Sequence, residues 1–108
     1  MKVSSTVAKS DFEVHIQEFL DYLQESRGLA RNTLSAYGND IRQYADYLVD
    51  AGFSDWVVPS SVVNLFIGSL MDREYQPSSQ ARKLAAVKAM YRYLLDQGHV
   101  QSDPSLGL

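Results

Sequence analysis

Residues 78–95 read SSQARKLAAVKAMYRYLL, and this stretch decides the fold class. Leu84, Val87, Tyr91, Leu94 and Leu95 recur at steps of three and four, the spacing of one helix face. The alanines, lysines, arginines and leucines among them are strong helix formers. Pro77 stands just before two capping residues, Ser78 and Ser79, and Gly98 follows Asp96, so the helix has a start and a stop. The same block carries four cations, Arg82, Lys83, Lys88 and Arg92, and no carboxylate. Wound as a helix, it places Arg82 almost opposite the apolar stripe, Lys88 and Arg92 on one flank and Lys83 on the other. Ala85, Ala86 and Ala89 fill the surface between.

Toward the N-terminus the helical period repeats. Residues 62–73 hold Val62, Val63, Leu65, Phe66, Ile67, Leu70 and Met71, apolar over more than half a helical circumference, which predicts a central helix covered on several sides. Residues 33–51 place Leu34, Tyr37, Ile41, Tyr44, Ala45 and Leu48 on one face, with Gly52 just past the end. Opposite lie Ser35, Asn39, Arg42, Gln43, Asp46 and Asp50. Ser10 and Glu13 form an S-x-x-E capping box ahead of Phe12, Ile16, Phe19, Leu20 and Leu23, and Gly28 closes that helix. Phe53 and Trp56, in the link before Pro59, are expected to lie over the core. No segment alternates with period two. The expected fold is all-α, a compact orthogonal bundle of four main helices with room for a short fifth turn after Pro104. Residues 1–9 read as a flexible tail, 10–102 as the helical domain, and 103–108 as the start of a linker.

Composition narrows the function. The 108 residues are 45% hydrophobic and 21% charged, a globular balance for one domain. There is no cysteine, and the two histidines, His15 and His99, are far apart, so neither a disulfide framework nor a local metal-ligand pair is present. No signal-peptide core or membrane-length apolar run occurs, which points to a cytoplasmic setting without a membrane partner. Ten Lys/Arg against thirteen Asp/Glu give a net charge of −3. The balance is uneven: residues 1–72 hold five Lys/Arg and ten Asp/Glu, and residues 73–108 five and three. The basic block therefore has two readings. It is a solvated face of good helix formers, or a face on which small alanines let the backbone approach a polyanion while long cations reach phosphates on either side.

The order FLDYLQESRGLARNTLSAYGNDIRQYADYL, then VVNLFIGSLMDREYQPSSQARKLAAVKAMYRYLLDQGHVQSDPSLGL, resembles the N-terminal, SAM-like core-binding domain of tyrosine recombinases, the phage integrase and Xer-like family. The likeness spans residues 12–108. It lies in an F-L-x-Y-L helix ending in R-G, an N-T-L-x-x-Y helix start, and a fourth helix of the form R-x-L-x-A-x-(K/R)-x-x-Y-x-(F/Y)-L. A G-x-(V/I)-x-x-(D/N)-P exit follows. The resemblance implies a helical domain gripping double-stranded DNA as half of a clamp, through its second and fourth helices. Carried onto matching positions, it assigns DNA contacts to Arg31, Asn32 and Thr33, to Arg42, and to Ser79, Gln80, Arg82, Lys83, Lys88 and Arg92. Thr33 reads equally as a first-turn capping residue and as a donor to phosphate at a helix N-terminus; Tyr37 reads as core. Ala30 and Arg31 replace the family's usual Ser-Pro, and Gly38, Asn39 and Asp40 stand where basic residues are common. The fourth helix is thus the stronger contact element.

The family's tyrosine nucleophile and its activating arginines, histidine and lysine belong to a C-terminal domain, and no such cluster surrounds any of the seven tyrosines here. No carboxylate pair, phosphate loop or Ser/His/Asp set is present either. The chain is expected to bind and not to catalyse, and to need no cofactor. Its implied partners are duplex DNA, a catalytic domain further along the same chain, and other recombinase protomers on DNA. The alternative is a helical protein–protein interaction domain using the alanine-rich basic face.

Overall fold

The computed structural model describes the backbone of residues 2–108 and the side chains of residues 11–108. The chain is all-α: four helices in the order α1 (Lys2–Arg27), α2 (Arg31–Asp50), α3 (Ser60–Asp72) and α4 (Pro77–Asp96), with no strand among the described residues. It divides into two units, Met1–Trp56 and Val57–Leu108.

In the first unit, α1 buries Phe12, Ile16, Phe19 and Leu23 of the expected stripe, with Leu20 half-buried. Each such side chain is worth roughly 1.5–3 kcal/mol of burial, so this face, more than helix propensity, holds α1 in place. The helix begins at Lys2, which leaves Ser10 and Glu13 inside it instead of at its start. The tail expected over residues 1–9 and the Ser10 hydroxyl lie outside the described side chains. Gly28, at φ 60°, ends α1 with its N–H on Gln24 O, and α2 starts after the extended Ala30. Its buried side is Ile41, Tyr44, Ala45, Leu48 and Val49.

α1 and α2 pack against each other, and Gly38 is where they come close. A Cβ built there would lie 3.0 Å from Arg42 Nη1 and 3.1 Å from Leu20 Cδ1. The glycine that looks like a poor choice for a helix is thus a matter of space. Trp56 closes the unit as expected: it is buried, edge-on to Phe12 at 4.6 Å between centroids and stacked on Tyr44 at 6.3 Å. Its indole Nε1–H donates to His15 Nδ1 at 3.1 Å, which fixes that nitrogen as the unprotonated one.

In the second unit α3 differs from expectation. Only Val63, Phe66 and Leu70 are buried, whereas Leu65 and Met71 are 64% and 62% exposed. α3 is a one-faced helix and not a central one; apolar content measured how hydrophobic it is, not how many sides are covered. The α3–α4 turn contains Glu74 at φ 60°, an uncommon conformation for a residue with a Cβ. Gln76, not a serine, is the N-cap of α4, with Pro77 in the first turn and no side-chain cap. The buried side of α4 is Lys83, Ala86, Val87, Met90, Tyr91 and Leu94. Leu84 is half-buried and Leu95 is exposed. Relative to the expected stripe the helix is turned by about 60° at 3.6 residues per turn, which carries Lys83 and Ala86 inward. After Val100, residues 103–108 form one tight turn in which Asp103 Oδ1 accepts from the N–H and hydroxyl of Ser105 at 2.8 and 2.6 Å.

Candidate nucleic-acid interface

The rotation of α4 redraws its outer surface. Arg82 and Arg92 are exposed, Lys88 is half-buried, and Ala81 and Ala85 lie exposed among them. At 100° per residue Ala81, Ala85, Lys88 and Arg92 share one face and Arg82 borders it. Three cations thus flank a strip of methyl-sized side chains where the backbone itself is accessible. Lys88 Nζ donates to Leu108 O at 2.6 Å, which steadies its stem and leaves two ammonium hydrogens for an outside acceptor. Ser79 is half-buried in the first turn, where Ser78 and Ser79 carry N–H groups lying ahead of the first backbone bond, Gln80 N to Gln76 O at 3.0 Å.

Two residues expected on this surface are placed otherwise. Lys83 is 7% exposed, and its ammonium stands over the ring of Tyr75 at 5.0 Å. Gln80 is half-buried and gives its side-chain N–H to Tyr75 O at 2.7 Å. Both interactions tie α4 to the turn before it. Tyr75, unremarked in the sequence, is their common partner, and the signal for it was available: an aromatic residue two positions past Arg73 and just ahead of a proline-initiated basic helix.

In the first unit Arg31, Asn32 and Thr33 are consecutive and exposed in the first turn of α2. Ala30 provides no side-chain cap, and the first backbone bond is Leu34 N to Ala30 O at 3.0 Å. The N–H groups ahead of it belong to an exposed first turn that also carries Arg31 and Thr33, an arrangement suited to an anion. Arg42 is two to three turns on and is occupied. Its Nε and Nη2 donate to the two Glu13 oxygens at 2.9 and 2.8 Å, a bidentate pair between α2 and α1. The hydrogen bonds from Arg42 hold the Glu13 carboxyl below its usual range and raise the guanidinium in turn. Asp40, which stands where basic residues are common in the family, is buried.

No group of three or more potential metal ligands occurs among the described residues, and no described helix is long and apolar enough to cross a membrane. The start of α2 and the outer face of α4 each offer charge-assisted hydrogen bonds from cationic side chains and backbone N–H groups, the chemistry of phosphate recognition.

The chain matches the family model for the phage integrase N-terminal SAM-like domain over residues 16–98. Among curated proteins it is 42% identical over 96 residues to a tyrosine recombinase XerC of Chlorobaculum parvum, covering 82% of this chain and 29% of that protein. It is 37% identical over 94 residues to the XerC of Chlorobaculum tepidum, covering 81% and 28%. With a tyrosine recombinase XerD of Shewanella oneidensis the figures are 35% over 89 residues, 82% and 30%. The chain thus spans less than a third of the length of these relatives. No solved structure gives a significant match.

Proposed function

The chain belongs to the phage integrase N-terminal SAM-like domain family, and from that premise we propose that it is the DNA-gripping, core-binding part of a tyrosine site-specific recombinase. It binds duplex DNA and does not itself catalyse; strand cleavage belongs to a catalytic domain elsewhere in the same protein, with other protomers assembling on the same DNA in the cytoplasm. The observation that carries this reading is the outer face of α4. In a chain of net charge −3 it presents Arg82, Lys88 and Arg92 around exposed Ala81 and Ala85. A continuous helix of this build can lie along a groove with its cations on the flanking phosphates.

The contact set is Arg31, Asn32 and Thr33 at the start of α2, with Ser79, Arg82, Lys88 and Arg92 on α4. Arg42 drops out because Glu13 neutralises it, and Gln80 and Lys83 because Tyr75 occupies them. If Arg31, Arg82, Lys88 and Arg92 each neutralise one phosphate, log K falls with log salt at a slope of about −3.6. That is roughly a 150-fold loss between 50 and 200 mM.

Titrating the isotope-labelled chain with a duplex at both salt concentrations tests this. Amide shifts confined to residues 31–34 and 78–93 that collapse at the higher salt are expected. No perturbation at 50 mM with millimolar duplex removes the proposal and favours docking of α4 on a protein partner.

A further inference from the structure

Tyr75, between α3 and α4, is held at three points. Its ring lies under Arg73 at 5.4 Å and under Lys83 at 5.0 Å. Its carbonyl accepts from Gln80 Nε2 at 2.7 Å, and its N–H reaches Leu70 O at 3.3 Å. Glu74 immediately before it holds φ 60°, a strained conformation for a non-glycine residue that persists where the surroundings over-determine it. Lys83 shows only 7% of its surface, so its ammonium would have to abandon the ring to meet a phosphate. The ring and carbonyl of one turn residue thus engage a lysine and a glutamine from the first two turns of the helix that carries the exposed cations.

We propose that Tyr75, Gln80 and Lys83 are positioning residues of the DNA interface. They set the entry of the chain into α4, and hence the aim of Ser79 and Arg82, without touching the nucleic acid. The proposal rests on the DNA-binding reading and differs from it in assigning Gln80 and Lys83 to the protein's own frame. A phosphate contact and a positioning residue separate by salt dependence, because only the contact releases a counterion when it binds.

Four variants of the chain decide it: Lys83→Met, which keeps most of the stem and loses the charge, Lys83→Arg, which restores the charge, Tyr75→Leu, and Tyr75→Phe. Duplex affinity is measured by anisotropy from 50 to 200 mM salt. Lys83→Met should weaken binding several-fold with the wild-type slope, and Lys83→Arg should restore it; a slope shallower by about 0.9 would mark Lys83 as a phosphate contact and overturn the proposal. Without DNA, amide exchange at residues 80–83 should quicken at least tenfold in Tyr75→Leu and stay at the wild-type rate in Tyr75→Phe. Unchanged exchange in Tyr75→Leu also overturns it. Should that variant fail to fold, exchange at the same amides in Lys83→Met takes its place. If the wild-type chain does not bind duplex at all, the DNA reading falls, and the exchange measurement alone still decides whether these residues fix the helix start.

Discussion

Replacing Gly38 by alanine sets two opposed effects against each other at one atom. In a helix interior the change should gain about 1 kcal/mol from propensity. Against this, the new Cβ lies 3.1 Å from Leu20 Cδ1 and 3.0 Å from Arg42 Nη1, where relaxed contacts between carbons are about 3.5–4.0 Å. Overpacking costs typically 1–3 kcal/mol, and Leu20, only half-buried, can yield, which puts its share near 1 kcal/mol. Arg42 is less free, because moving its guanidinium stretches both hydrogen bonds to Glu13. The two side chains are 39% and 47% exposed, so solvent screening holds that pair to under about 1 kcal/mol. The net expectation is a loss of under about 1 kcal/mol, or a melting midpoint lower by at most roughly 5 °C. Trp56 is the sole tryptophan and sits in the same unit, so its fluorescence during thermal and urea unfolding reads the effect directly. In an Arg42→Ala background half of the clash is gone, and Gly38→Ala should become nearly neutral. A raised midpoint in the wild-type chain, or an equal cost with and without Arg42, would refute the reasoning.

Glu13→Gln should cost under about 1 kcal/mol at neutral pH. Because the folded-state pKa of Glu13 lies below its unfolded value near 4.5, the stabilisation is complete above that value and drains as pH falls through the folded one. The variant should therefore lose this part of the acid sensitivity, as checked by urea midpoints at pH 7 and pH 3. His15→Leu removes the acceptor of the indole N–H and should destabilise by about 1–3 kcal/mol with a shift in Trp56 emission. Leu65→Lys on the exposed side of α3 should change stability by less than about 0.5 kcal/mol, and Phe66→Ala beside it should cost about 3–5 kcal/mol, both read from circular dichroism melts.

The sequence alone determined that this chain is helical, roughly where each helix stops, and which side of α1 and α2 turns inward. Those helices carry bulky residues on one side and charged ones on the other, so periodicity had one solution. It could not determine the orientation of α4, where alanines and the stem of Lys83 suit the interior as well as leucines do, so a turn of about 60° left the pattern nearly as well satisfied. Nor could it pair Arg42 with Glu13 or bring Lys83 onto Tyr75, because a cation reads the same in sequence whether it faces a carboxylate, a ring or water. Burial and distance, which exist only once the helices are packed, showed that Arg42 is engaged by Glu13 and Lys83 by the ring of Tyr75.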